Sequence, residues 1–104
     1  MKNWRMRAEN FALYLKLLIT PFMRDNAQKR LVFYRIEVLI DSVHDFIVVN
    51  GGSVQRARDA FAAVAVVSGA KARLELAVTN FISALPTRAA EHIRVFDPVS
   101  YLLN

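Results

Sequence analysis

Apolar residues in the first 22 positions recur at steps of three and four: Trp4, Ala8, Phe11, Leu15, Leu18 and Phe22. That is the repeat of one helix face, and Lys2, Arg5, Arg7, Glu9 and Lys16 mostly lie off it. Pro21 lacks a backbone N–H and crowds the preceding turn, so the spacing predicts a helix that ends or kinks near Thr20. A second helical pattern follows in Val32, Ile36, Leu39, Val43 and Phe46, widened by Phe33, Ile40 and Ile47. Arg30, Glu37, Asp41 and His44 run opposite and read as its solvated face. Asp25 or Asn26 can cap its start, and Asn50, Gly51 and Gly52 suit a left-handed helix end. The β-rich run "DFIVVN" competes with this reading, because a short strand has the same composition.

The stretch "VVNGGSVQRARDAF", residues 48–61, raises the question of a phosphate-cradling turn. Such loops need several glycines whose neighbouring amides converge on the anion, and they follow a strand; a Walker loop also needs Gly-Lys-Ser/Thr. Here a helix end followed by a serine cap explains every residue from Asn50 to Ser53. Val54, Ala57, Phe61, Val64 and Ser68 then keep helical spacing, and Ala70, Leu74, Ala77, Phe81 and Leu85 resume it beyond "SGAK". One helix over 54–85 or two broken at Ser68-Gly69 both fit, and a continuous or lightly kinked helix is expected, since a mid-helix glycine costs only about 1 kcal/mol. Pro86 closes it, Thr87 can cap a short helix through "RAAEHIRVF", and Asp97 before Pro98 marks another start. The apolar tail Tyr101, Leu102 and Leu103 is expected to dock on the core.

The pattern therefore predicts an all-α fold: one domain over residues 1–104, a small helical bundle of three to four main helices with a short C-terminal helix. Composition agrees, with 104 residues, 55% hydrophobic and only three Gly and three Pro. Alanines crowd the segment from Ala57 to Ala77; they suit helix propensity and close packing within the chain, and they leave a homodimer open. No stretch reads as a secretory signal or an integral membrane span, so a soluble, cytoplasmic chain is expected. The first helix has the residues of a membrane-surface helix, but a bundle needs it for its core.

Candidate chemistry is sparse. With no cysteine there is no disulfide, thiolate nucleophile or Cys-based zinc site. Asp41 and His44 share a helix face, yet a metal wants three or four ligands, so no metal or other cofactor is expected. Arg88 and His92 enclose three residues, one short of the Arg-x4-His element of the small helical ribonucleases called HEPN domains. No serine sits in a recognisable nucleophile elbow, and the chain is expected to be non-enzymatic.

Charge points to binding instead. The net charge is +5, and residues 1–35 hold eight basic side chains against two acidic ones. Such asymmetry favours an acidic partner by long-range attraction. The candidate contacts are Arg5, Arg7, Arg24, Lys29 and Arg30, with Arg56 and Arg58 at a later helix start. The expected function is a regulatory binding protein that occupies an acidic surface on a protein partner. The alternative is a nucleic acid, dsRNA or DNA gripped by its backbone through the same residues, with Trp4 free to stack on an unpaired base.

Overall fold

A computed structural model describes residues 2–63, 68–95 and 97–104, and it is all-α, with no strand among the described residues. Helix α1 spans Lys2–Ile19 and gives way to a single 3-10 turn, Thr20–Phe22, with Pro21 inside it. Helix α2, Asn26–Val49, starts where Asp25 leaves the extended region and its carboxylate accepts the Gln28 N–H at 2.8 Å. Asp25, and not Asn26, is therefore the cap. The run from Asp45 to Val49 is helical: Phe46 and Ile47 are buried and Val48 and Val49 exposed, a helical grouping rather than strand alternation. The helix stops as Gly51 and Gly52 take φ of 79° and 76°, which brings the Gly52 N–H onto the Ile47 carbonyl at 2.9 Å. The Asn50 amide closes the Phe46 carbonyl at 2.8 Å.

The expected continuous helix over 54–85 is instead broken. Helix α3 spans Val54–Ala62 and helix α4 spans Gly69–Ala84. Ala63 is extended at ψ 128°, and Ser68 is extended at ψ 161° with its hydroxyl accepting the Lys71 N–H. Val64, on the expected stripe, lies outside the described residues. Two capped ends win over one continuous ladder because the helices serve different neighbours. Helix α4 packs along α2, whereas α3 lies against α2 and against the last helix. Helix α5, Thr87–Val95, follows Pro86, and α6, Pro98–Leu103, is capped by Asp97, whose carboxylate accepts the Val99 N–H at 3.1 Å.

The α2–α4 pair makes the most extensive helix contact. Val32, Ile36, Leu39, Val43 and Phe46 are buried on α2, and Ala70, Leu74, Ala77 and Phe81 on α4. Small residues alternating with large ones let two helices approach closely while still filling the space between them. Helix α1 adds Trp4, Ala8, Phe11, Ala12, Leu15 and Ile19 to the same core, and α5 adds Ala89, Ala90 and Ile93. Leu18 and Phe22, expected on the α1 stripe, are only partly buried, while Ile19 takes the inner place. Among the described residues no helix is long and apolar enough to cross a membrane.

Two substitutions test this frame. A methyl group on Gly52 meets open space, yet Gly52→Ala should cost about 1–2 kcal/mol because of its positive φ. Leu74→Ala removes a fully buried side chain from α4 and should cost about 2–5 kcal/mol. Urea denaturation followed by circular dichroism reads both.

Candidate interaction surface

The seven cations singled out in the sequence do not form one surface. Arg7 and Arg58 turn to the C-terminal end of α6, where the last carbonyls have no N–H donors within their own short helix. The Leu102 carbonyl accepts the Trp4 indole N–H at 2.6 Å and an Arg7 N–H, also at 2.6 Å. The Leu103 carbonyl accepts the Arg58 Nε–H at 3.0 Å. Guanidinium groups at a helix C-terminus also meet the negative end of its dipole. Arg7 and Arg58 flank an open hollow of about 340 Å³ with Asn3, Trp4, Val54 and Asn104. Arg7 Nε is buried and has no hydrogen-bond partner among the described residues. Trp4 is 5% exposed and its ring lies 5.7 Å from that of His44, so it is a core residue and not a free stacking platform. His44, expected on the solvated face of α2, is half-buried by that contact.

Arg5 faces two carboxylates, Glu9 on its own helix at 3.8 Å and Asp41 on α2 at 3.7 Å. Lys16 reaches Glu37 on α2 at 2.9 Å. These pairs align α1 on α2, though exposed pairs contribute only about 0–1 kcal/mol each. Arg56, exposed at the start of α3, folds back over the α2 terminus, with a guanidinium nitrogen 3.4 Å from where a Gly51 side chain would begin.

Arg24, Lys29 and Arg30 remain together at the corner between α1 and α2, and none of them has an ion pair among the described residues. Beside them α2 exposes Leu31 at 46% and Tyr34 at 60%. The Arg35 guanidinium sits 5.9 Å from the Tyr34 ring. A shallow hollow of about 520 Å³, lined by Arg24, Asp25, Ala27, Gln28, Leu31, Ser83 and Ala84, joins this corner to the end of α4. Leu31 and Tyr34 escape a reading based on charge, yet both fall off the Val32, Ile36 and Leu39 stripe, which is the signal that they face outward.

Lys71 is a buried cation, 7% exposed. Its ammonium donates to the Ala63 carbonyl at 2.5 Å and lies 5.7 Å from the Phe61 ring, so it fastens the end of α3 to the start of α4. Among the described residues no group of three or more His, Asp and Glu could hold a metal ion. No protein-family model, curated protein or solved structure matches this chain.

The α6 contacts give a direct test. Trp4→Phe keeps the ring and removes its N–H donor to Leu102, and should cost about 1 kcal/mol. Hydrogen exchange should speed up first in α6 and at the N-terminal end of α1, ahead of α4.

Proposed function

We propose that the chain is a non-enzymatic binding protein that docks on an acidic protein surface through the outer face of the first half of α2. The reading is supported by one observation: Arg24, Lys29 and Arg30, without ion pairs among the described residues, border the exposed Leu31 and Tyr34. Protein interfaces concentrate their energy in aromatic and arginine anchors set among near-neutral contacts. Cations around such an anchor speed encounter with an acidic partner and set its orientation, while the apolar side chains slow its release.

A phosphate-backbone binder needs a continuous track of free cations. Of the seven candidate residues, Arg7 and Arg58 donate to α6 carbonyls and Arg5 faces Glu9 and Asp41. Arg5, Arg7 and Lys16 of the N-terminal cations are thus engaged within the molecule, which interrupts such a track, and burial of Trp4 removes the stacking group from that alternative.

The test pairs two variants against two kinds of partner. Crosslinked partners captured on the immobilised protein should be lost on Tyr34→Ala by at least about tenfold, as expected of an anchor residue. Arg24→Gln with Lys29→Gln and Arg30→Gln should mainly slow association. In parallel, anisotropy of fluorescent RNA and DNA duplexes at about 50 and 200 mM salt should show no binding. Duplex binding that collapses with salt and ignores Tyr34→Ala would overturn the reading in favour of a nucleic-acid backbone.

A further inference from the structure

Helix α1 is apolar on two opposite faces. One face, Trp4, Ala8, Phe11, Leu15 and Ile19, is buried in the core. On the other, Met6, Leu13, Tyr14 and Leu17 are 63%, 59%, 54% and 69% exposed. Arg5, Glu9 and Lys16 separate the two faces on one side and Arg7 on the other, so the outer apolar residues form a strip of their own, and no described residue covers it. Asn3, Met6, Asn10, Leu13 and Leu17 follow one another at steps of three, four, three and four, the a/d seam of a coiled coil with asparagine at two a positions. This narrow seam takes a single helix.

We infer that the seam is a homodimer interface, in which α1 pairs antiparallel with α1 of a second copy about a two-fold axis passing between the levels of Phe11 and Ala12. The seam is self-complementary in that register. Met6 lies level with Leu17 of the partner subunit and Asn10 with Leu13 of the partner subunit, and the symmetry repeats each pairing. The two Asn10 residues flank the two-fold axis about 4.5 Å apart along the helix direction, close enough for their amides to meet and fix the register. Along one edge, Glu9 comes within two residue levels of Lys16 of the partner subunit, and the reverse pair forms by symmetry. Opposite charges therefore meet on the flank where like charges would oppose pairing. Within one chain Glu9 has the exposed Arg5 at 3.8 Å, and Lys16 has the exposed Glu37 at 2.9 Å with the half-buried Phe33 ring 5.4 Å away.

The alanines of α4 are not available for this purpose. Ala70 and Ala77 are buried in the core on the face that packs along α2. A two-helix seam of this length removes on the order of 1,000 Å² from water in total, near the lower limit for a stable association. A dimer constant on the order of micromolar is expected.

Sedimentation equilibrium of the intact protein over roughly 1 to 100 µM should show a monomer–dimer equilibrium. Leu13→Glu should shift it at least tenfold toward monomer and leave the thermal melt of the monomer unchanged, because Leu13 is exposed. The charge pairs test the register without touching the apolar seam. Glu9→Lys alone and Lys16→Glu alone should each weaken self-association, while an equimolar mixture of the two should form a heterodimer in which both flanking pairs are restored. A wild-type monomer at 100 µM, or a dimer indifferent to Leu13→Glu, overturns the proposal. Failure of the mixture to associate better than either variant alone overturns the antiparallel register. A monomeric wild type that binds anionic phospholipid vesicles through Leu13 would reassign the face to a membrane surface.

Discussion

The end of α6 presents carbonyl groups that a six-residue helix cannot satisfy for itself. Its nearest donors are side chains on distant elements: Trp4 and Arg7 from α1 and Arg58 from α3. A helix this short has no stability of its own in water. It exists here because Val99, Leu102 and Leu103 are buried and because the open end is closed by three donors. The dependence is mutual. Helices α1 and α3 both lie against α2, and it is through α6 that they also share a neighbour. The α2–α4 pair is the spine of the bundle, and α6 ties α1 and α3 to it, while α5 lies against α4.

This closure also changes what the charge of the chain means. A net +5 suggests a surface adapted to polyanions. Two of the arginines are instead structural donors to carbonyls, and Arg5 and Lys16 face acidic side chains of α2. Positive charge is left concentrated at the corner where Arg24, Lys29 and Arg30 stand beside exposed apolar groups. Where the cations sit, and what each already touches, says more about a partner than their number does.

Periodicity carried the core well where large side chains define a face. The stripes of α1 and α2 and the glycine end of α2 could be read directly, since Trp, Phe, Leu and Ile commit a helix to one orientation. The α3–α4 break was obscured because the alanines around it suit either a continuous helix or two helices. The signal was nonetheless there: Ser68 precedes Lys71 as Ser53 precedes Arg56, and both serines accept the amide three residues on. Other features had no local trace. Arg7 bonds a carbonyl 95 residues away and Arg58 one 45 residues away, so nothing around either arginine could distinguish a structural donor from a free cation. Leu13 and Leu17 fall off the predicted α1 stripe, and their exposure follows from the core lying on that stripe.

The contact between Lys71 and the Ala63 carbonyl spans the junction between α3 and α4 without using the chain that connects them. The most extensive helix contact does the same, with α2 packed along α4, and so does the hold of α1 on α6. The halves of the polypeptide on either side of this junction are therefore interleaved rather than placed end to end. A backbone nicked between Ala63 and Ser68 would behave as a complementing pair of fragments, joined by burial and hydrogen bonding in place of a peptide bond.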